Sequence, residues 1–272
     1  MRVLIPRGGS WGDEVARLVT AAGHEPLILP LVRIEPAEDQ ERLRSVLDQL
    51  SEGRFDWLVV SSQSAVRVLP RVPSSVHVAA VGAVTAASLR ERGVPVAFVP
   101  TRQSAAGLVD EWPIRRGSVL WPRALDARPT IAEGLRRHGM DVTEVVAYRT
   151  VPVFERSERP DGPVVDQTGS MPTVDPERLR EELEAAGLDP ADGVLTAVEP
   201  AETPIHAVLV TSGSVAKQVA RLGLPQETPV IAIGDQTAED CRRYGLRVGA
   251  IAQQPSAAGL VDALVRTTGR AA

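Results

Sequence analysis

Residues 81–94 read VGAVTAASLRERGV, and residues 233–246 read IGDQTAEDCRRYGL. Both stretches place a glycine after a short apolar run and then continue as a turn that leads into a helix. They are 152 positions apart, and the word SAAGLVD recurs at the same offset, at residues 104–110 and 256–262. Repetition at one fixed offset indicates that the chain contains two copies of one structural unit.

The repeat extends upstream of these stretches. Residues 56–69 read DWLVVSSQSAVRVL and residues 206–219 read HAVLVTSGSVAKQV, and both predict a strand, a turn rich in Ser and Thr, and a helix, which we name unit B. A strand–helix–strand unit, unit A, is predicted over residues 2–33 and again over residues 118–149, 116 positions later. The chain therefore carries its units in the order A, B, A, B.

Short apolar strands that alternate with helices are typical of α/β folds with parallel sheets. The strands lack polar alternation, as expected where helices cover both faces of a sheet. Two arrangements satisfy the order A, B, A, B. The chain could form tandem domains that divide near residue 115, or the first A unit could share a sheet with the last B unit, which would make one domain discontinuous. Periodicity alone is compatible with both arrangements.

The composition is that of a globular protein with room for two domains: 272 residues, 43% apolar and 24% charged. A net charge of −5 argues against general nucleic-acid binding. Cys241 is the only cysteine and four histidines are scattered, so we expect neither a disulfide nor a metal site. The sequence has no Walker or Rossmann motif, so we expect no cofactor.

We also expect no membrane contact and a cytoplasmic location, since no signal peptide or long apolar run is present.

In an open parallel sheet, ligands bind beyond the carboxyl ends of the strands. Helices follow the predicted strands here, and helix N termini offer unpaired N–H groups and a positive partial charge to anions. We therefore predict an anion-binding edge on each sheet. For each Ser or Thr in these turns the alternative is a purely structural helix cap. The candidate turns are PRGGS (6–10), SSQS (61–64), VGAVT (81–85), PRALD (122–126), TSGS (211–214), IGDQT (233–237) and QPS (254–256).

The ordered set of these motifs resembles the uroporphyrinogen-III synthase family. Residues 56–69 are similar to the family's strand–Thr-Ser-x-x-Ala-Val pattern, and the two stretches quoted first look like its Val-Gly-x-x-Thr-Ala helices. LPLVRIEP (29–36) and VVAYRTVP (145–152) resemble its two extended crossovers. The chain departs from the family's Thr-Arg-Pro beginning, where it has IPRGGSW (5–11). The resemblance covers nearly the whole chain outside residues 153–204.

The resemblance implies the interleaved arrangement, an α/β fold of two flavodoxin-like parallel-sheet domains joined by two extended crossovers, with the first domain discontinuous and the active site between the domains. The implied boundaries are residues 1–33 plus 152–272 for domain one, with an insert at about 153–204, residues 37–146 for domain two, and residues 30–36 and 146–152 for the crossovers. The insert matches no repeat, and its composition predicts a loop, a helix at PERLREELEAAG (176–187) and an irregular segment that could hold a short strand or hairpin.

The function implied by the resemblance is that of a hydro-lyase. It would cyclise hydroxymethylbilane to uroporphyrinogen III, with loss of water and inversion of the last pyrrole ring, as a step of tetrapyrrole and haem biosynthesis. The substrate would be this linear tetrapyrrole, and no cofactor or metal would be needed. We expect a monomer that meets hydroxymethylbilane synthase transiently. The hypothesis from a different class is a non-catalytic ligand-binding or regulatory module of the same fold.

The implied catalytic residue is Tyr148, which matches the family's tyrosine on the second crossover and would assist departure of the substrate hydroxyl as an acid. The alternative for this residue is packing of the crossover. Small polar residues and two arginines at the strand ends would bind substrate carboxylates. These predicted substrate-binding residues are Arg7, Ser62, Gln63, Ser64, Thr85, Arg123, Ser212, Gly213, Ser214, Gly234 and Thr237.

Overall fold

The chain forms two compact units in the computed structural model. The model describes residues 1–153, 188–189, 196–197 and 204–268. The first unit is built from Met1–Arg33 and the described part of Val151–Ala272, and the second unit is Ile34–Thr150.

Strands and helices alternate along most of the described chain. The strands are β1 (Arg2–Ile5), β2 (Glu25–Ile28), β3 (Val32–Pro36), β4 (Trp57–Val60), β5 (His77–Ala80), β6 (Ser118–Ala124), β7 (Asp141–Pro152), β8 (Leu188–Asp189), β9 (Thr196–Ala197), β10 (Ala207–Val210), β11 (Val230–Ala232) and β12 (Val248–Ile251). The helices are α1 (Gly9–Ala21), α2 (Gln40–Ser51), α3 (Gln63–Val68), α4 (Ala83–Glu91), α5 (Ala105–Asp110), α6 (Thr130–Arg137), α7 (Gly213–Arg221), α8 (Asp235–Arg243) and α9 (Ala257–Thr268).

Five parallel strands form the sheet of the first unit, in the order β12-β11-β10-β1-β2. Val3 of β1 lies opposite Ala207 of β10. Helices α1 and α9 pack on one face of the sheet, through side chains such as Val15 and Leu260. Helices α7 and α8 pack on the other face, where Val215 contributes to the core. Coverage of both faces explains why these strands are apolar at nearly every position.

The second unit has a sheet in the order β3-β7-β6-β4-β5, in which the β7–β6, β6–β4 and β4–β5 pairs are parallel. Helices α2, α3 and α4 contribute to the core on one face, and helices α5 and α6 on the other. Trp57, Trp112 and Phe98 form an aromatic cluster in this second core, with ring centroids 4.9 and 6.0 Å apart. A parallel bridge between Ala79 and Phe98 extends the sheet beyond β5, at the position that β12 takes in the first sheet.

The two sheets repeat one strand order, because β7-β6-β4-β5 in the second corresponds to β2-β1-β10-β11 in the first. Since β1 pairs with β10 and β6 pairs with β4, the first A unit shares a sheet with the last B unit. The predicted fold class is therefore confirmed, with two parallel α/β sheets and a discontinuous first unit. The tandem arrangement that would divide the chain near residue 115 is excluded.

The chain passes between the two units in β3 and near the end of β7, which are neighbouring strands in the second sheet. Arg149 of β7 forms ion pairs with Glu35 of β3 and with Glu38, each at 2.6 Å. Arg33 donates a hydrogen bond to the carbonyl oxygen of Val153 at 2.8 Å. Both connecting segments are extended, and arginine side chains join one to the other.

The repeated word SAAGLVD has a structural cause. Ser104 Oγ accepts a hydrogen bond from Gly107 N at 3.0 Å, and Ser256 Oγ accepts one from Gly259 N at 3.1 Å, so each serine caps a helix. A Cβ on Gly107 would lie 1.9 Å from the carbonyl oxygen of Arg102, and a Cβ on Gly259 would lie 2.2 Å from the equivalent oxygen. Only glycine allows the backbone to approach this closely at both positions.

Part of the insert lies within the described residues. Strands β8 and β9 form an antiparallel pair there. The helix predicted at residues 176–187 and the loop predicted from residue 154 lie outside the described residues. Among the helices of the described chain, none is both long and apolar enough to span a bilayer.

Gly107→Ala tests the close approach in SAAGLVD. Alanine normally stabilises a helix relative to glycine. Here the added Cβ would overlap the Arg102 carbonyl oxygen, so we expect a loss of about 1–3 kcal/mol in unfolding free energy, measured by urea denaturation. The matched control is Ala106→Gly on the same helix, which adds no atom and should lose about 1 kcal/mol. An unchanged or raised stability of Gly107→Ala would contradict the assignment.

Candidate active site

The predicted site residues lie at the carboxyl edges of the two sheets. We use "carboxyl edge" for the ends of β1, β10 and β11 with their following turns in the first unit, and for the ends of β4, β5, β6 and β7 in the second. The edge of the first unit carries Arg7, Ser212, Gly213, Ser214, Gly234 and Thr237. The edge of the second unit carries Ser62, Gln63, Ser64, Thr85, Arg123 and Tyr148. Parallel strands end at the same side of a sheet, which is why turns distant in sequence meet there.

A hydrogen bond joins two of the predicted residues, Tyr148 on β7 and Ser62 at the start of α3. Their hydroxyl oxygens are 2.8 Å apart. Ser62 is the N-cap of α3, and its Oγ also accepts a hydrogen bond from Ala65 N at 3.1 Å. The backbone of Tyr148 is fixed as well, since Leu125 N donates to its carbonyl oxygen at 2.9 Å. The Ser62 hydroxyl is thus occupied within the protein rather than held out for a substrate carboxylate.

Burial raises the pKa of the Tyr148 phenol above its ordinary value of 10.0. The hydrogen bond with Ser62 opposes this pKa shift, and the Asp126 carboxylate adds to it by charge repulsion. A phenol with its ordinary pKa is already protonated at neutral pH, and the upward direction makes its ionisation still less favourable. It is therefore placed to donate a hydrogen bond, or a proton, at the carboxyl edge.

Helices α4 and α8, which follow the two repeated glycine turns, differ in their caps. Gln103 Oε1 accepts a hydrogen bond from Ala83 N at 2.8 Å, so the N terminus of α4 is capped by a side chain. The position equivalent to Gln103 in the other copy is Pro255, which has no side-chain acceptor. Gly234 is the N-cap of α8, and the described residues provide no side-chain cap for that helix. Sequence reasoning missed Gln103, although the Gln/Pro difference between the copies was visible.

Thr85 and Thr237 occupy the same position in the first turn of α4 and of α8. Each is 7% exposed. Both threonines are therefore almost fully buried within their own units. The sequence paired them correctly as repeat equivalents but gave no sign of their burial.

Arg123 is held by its own unit. Its Nε lies 2.9 Å from Glu144 Oε2, and the other carboxylate oxygen of Glu144 lies 2.9 Å from Arg136. The guanidinium also donates to the carbonyl oxygens of Ala124 and Leu125 at 2.9 and 3.0 Å. A substrate carboxylate at Arg123 would have to compete with Glu144, a residue that the sequence analysis did not select.

The equivalent arginine of the first unit, Arg7, contacts an aromatic ring. Its guanidinium carbon lies 4.9 Å from the ring centroid of Trp11, a cation–π distance. Nearby on the same edge, Ser212 caps α7, since its Oγ accepts a hydrogen bond from Val215 N at 3.3 Å. The Ser212 and Ser214 hydroxyls are 3.0 Å apart. The predicted hydroxyls of this turn are therefore grouped, and one of them also supports the helix.

Gly213 and Asp240 pack closely in the first unit. A Cβ on Gly213 would lie 2.4 Å from Asp240 Oδ2, and Asp240 is 8% exposed. The corresponding positions of the second unit hold Gln63 and Ser88, which form a hydrogen bond of 3.1 Å. Gly213 therefore makes room for a carboxylate of its own unit, and the sequence analysis missed that carboxylate.

A family model described as uroporphyrinogen-III synthase HemD matches residues 13–262. A putative uroporphyrinogen-III synthase from Methanothermobacter thermautotrophicus is 31% identical over 148 residues, which cover 50% of this chain and 57% of that protein. A chloroplastic uroporphyrinogen-III synthase from Oryza sativa subsp. japonica is 26% identical over 255 residues, which cover 89% of this chain and 72% of that protein. The chain thus spans just over half the length of the archaeal relative in this match.

Two solved structures share the fold. A mutant uroporphyrinogen III synthase from Thermus thermophilus superposes with a TM-score of 0.61 at 18% identity, and the match covers 99% of each chain. A uroporphyrinogen-III synthetase from Helicobacter pylori gives a TM-score of 0.55 at 19% identity, with 98% of this chain and 99% of that chain covered. At such identities the likeness is one of fold.

Titration of Tyr148 tests its environment. The chain has two tyrosines, so Tyr244→Phe leaves Tyr148 as the only phenol, and tyrosinate absorbance then reports its ionisation alone. We expect the pKa of Tyr148 to lie above 10. Since the folded state holds this proton more tightly than the unfolded state, the associated stability is present below about pH 10 and is lost as pH rises through the folded-state pKa. A midpoint at or below 10 would contradict the burial described above.

Proposed function

We propose that this chain, which belongs to the uroporphyrinogen-III synthase family, cyclises hydroxymethylbilane to uroporphyrinogen III with loss of water and inversion of the last pyrrole ring. The observation that carries the proposal is the family match over residues 13–262, a range that includes most of both carboxyl edges. The chain would then be a lyase of tetrapyrrole and haem biosynthesis. The alternative, a non-catalytic ligand-binding or regulatory module, is not favoured by any comparison.

In the proposed reaction the protein has to control which carbon of the last pyrrole ring reacts, more than it has to activate the substrate. Loss of the substrate hydroxyl as water leaves an electrophilic azafulvene. Unassisted closure at the free carbon of the last ring gives the type I isomer. Attack by the substituted carbon instead gives a spiro intermediate, which reopens and closes with the ring inverted. The protein therefore has to hold the substrate in one folded conformation, keep water away and move protons.

The Tyr148 phenol suits the first proton transfer. It is protonated at neutral pH, burial raises its pKa further, and its hydroxyl lies at the carboxyl edge of the second unit. Transfer of that proton to the substrate hydroxyl would let it leave as water. The proton lost later from the last ring would restore the phenol. Because a phenol of raised pKa is a weak acid, we expect its contribution to be smaller than that of an acid matched to neutral pH.

The N terminus of α8 suits a substrate carboxylate. Helix N termini bind anions through unpaired N–H groups and a positive partial charge. Unlike α4, α8 begins at Gly234 without a side-chain cap from the described residues, and Thr237 lies in its first turn. The Asp235 carboxylate lies in the same turn, so a substrate carboxylate would have to compete with it for the N–H groups. A charge-assisted hydrogen bond contributes about 1.5–3 kcal/mol, so several such contacts to the carboxylates of one tetrapyrrole would give firm binding.

The instability of the substrate affects how it has to reach the protein. A substrate that closes without help gives the wrong isomer, so it has to be delivered quickly. We propose that the chain acts as a cytoplasmic monomer that receives hydroxymethylbilane from hydroxymethylbilane synthase, with neither nucleic acid nor membrane as a partner. The net charge of −5 is consistent with the absence of a nucleic-acid partner.

Tyr148→Phe and Thr237→Val test the proposed function. We expect Tyr148→Phe to lower kcat for type III formation about 10- to 100-fold, because the proton donor is lost. We expect Thr237→Val to raise KM about 10-fold, because one hydrogen bond to a carboxylate is lost. Products are oxidised and separated by chromatography, and circular dichroism checks the fold. Tyr244→Phe is the control for loss of a phenol. Full turnover by folded Tyr148→Phe would contradict the role of Tyr148.

Pro255→Gln tests the proposed carboxylate site at α8. The substitution places at α8 the residue type that caps α4 from the equivalent position, Gln103. If the uncapped N terminus binds substrate, the new side chain competes with it, and KM should rise about 10-fold. Pro255→Ala is the matched control, since it removes the same proline and adds no acceptor. Equal KM values for the two variants would contradict binding at this helix end.

A further inference from the structure

Ser62 has two structural partners, and they fix its hydroxyl from two directions. Its Oγ accepts a hydrogen bond from Ala65 N at 3.1 Å, which ties it to the first turn of α3. The same oxygen is 2.8 Å from the Tyr148 hydroxyl oxygen. Because a cap holds the serine in one rotamer, the position of its oxygen relative to Tyr148 is set by the helix.

The other copy of the unit shows which of these two contacts is general. Ser212 is the equivalent of Ser62, and it makes the same capping bond, to Val215 N at 3.3 Å. The position equivalent to Tyr148 in the first unit is Val32, which has no hydroxyl. Capping therefore explains a serine in both copies, whereas the bond to a phenol belongs to the second copy alone among the described residues.

The rest of Tyr148 is already fixed without Ser62. Its backbone carbonyl accepts a hydrogen bond from Leu125 N at 2.9 Å, and its strand lies in register with Ala124 of β6. Its ring packs against the core of the second unit. These contacts leave the phenolic O–H of Tyr148 free to rotate. The Ser62 hydroxyl is placed to restrict this rotation.

We propose that Ser62 is a positioning residue, which holds the Tyr148 hydroxyl in the orientation that delivers its proton to the leaving hydroxyl of the substrate. This inference rests on the proposed function. In the transfer, the O–H bond of Tyr148 breaks and an O–H bond forms on the substrate hydroxyl, which departs as water. Ser62 donates its O–H to the Tyr148 oxygen before the transfer, which leaves the phenolic proton free for the substrate, and to the phenolate oxygen after it. Throughout, Ser62 Oγ accepts the bond from Ala65 N. The proton released from the last ring returns to the phenolate.

The test compares three single substitutions at two helix-capping serines. Ser62→Ala removes the capping bond and the bond to Tyr148 together. Ser104→Ala removes an equivalent cap in the same unit, with a bond of 3.0 Å, and leaves Tyr148 untouched. Ser62→Thr retains a hydroxyl and is the rescue variant, since threonine also serves as an N-cap. All three are made in the Tyr244→Phe background, so that Tyr148 is the only tyrosine.

Two readouts separate positioning from support of the helix. Incorporation of 3-fluorotyrosine gives a single fluorine NMR signal, whose chemical shift and pH titration report on the Tyr148 hydroxyl whether or not the protein turns over. Steady-state formation of the type III isomer gives kcat and KM. Thermal unfolding measures the cost of the lost cap, which we expect to be about 2–4 °C for both alanine variants.

The expected result has three parts. Ser62→Ala shifts the fluorine signal, raises the pKa of Tyr148 and lowers kcat about 10-fold, with KM changed less than about twofold. Ser104→Ala loses similar thermal stability but keeps the fluorine signal and kcat of its background. Ser62→Thr recovers most of kcat and the signal. A kcat of Ser62→Ala equal to that of Ser104→Ala would overturn the proposal, whether or not the signal moves.

Failure of the proposed function is recognised separately. The background protein is assayed first, before any serine variant. If it gives no type III isomer above the level without enzyme, the proposed function fails and the role of Ser62 in that reaction fails with it. If it gives type III and Ser62→Ala behaves as Ser104→Ala does, only the inference about Ser62 is overturned.

Discussion

Parallel pairing of β1 with β10 joins the beginning of the chain to its last third, with Val3 opposite Ala207. Closing so long a loop costs entropy, although the cost grows only slowly with loop length. Complete burial of residues such as Val3 and Leu209 in these strands offsets it. The second unit contains the matching pair, β4 with β6. In each sheet the parallel strands end at one edge, which places the predicted site residues of each unit at that unit's own carboxyl edge.

The two copies of the repeated unit share a fold but carry different side chains at their carboxyl edges. Serine caps the corresponding helix in both, as Ser62 and Ser212 do. The second unit adds the phenol of Tyr148 and a side-chain cap on α4. The first unit has Pro255 in place of the capping glutamine, and α8 begins without a side-chain cap from the described residues. The second edge therefore carries a buried phenol beside a helix-capping serine, whereas the first carries a helix without a side-chain cap whose first turn holds Asp235.

Fixed spacing allowed the sequence to predict the repeated units and their parallel α/β sheets, because the offset between Gly82 and Gly234 is visible without coordinates. The discontinuous first unit was predicted only by the resemblance to the family, because the spacing was compatible with tandem domains as well. The sequence could not predict side-chain partners that the sheet brings in from other elements. Gln103 caps a helix that begins 20 positions earlier, and Glu144 holds Arg123 from the neighbouring strand. Burial was equally hidden, since Thr237 lies 7% exposed on a helix whose sequence is strongly polar.

The isomer composition of the product tests the central claim most directly. Hydroxymethylbilane is generated from porphobilinogen by its deaminase in the presence of this protein, and the oxidised products are separated into uroporphyrins I and III. The account predicts mainly the type III isomer, in an amount that rises with the concentration of the protein. Type I at the level found without the protein, from a sample shown to be folded, would contradict it.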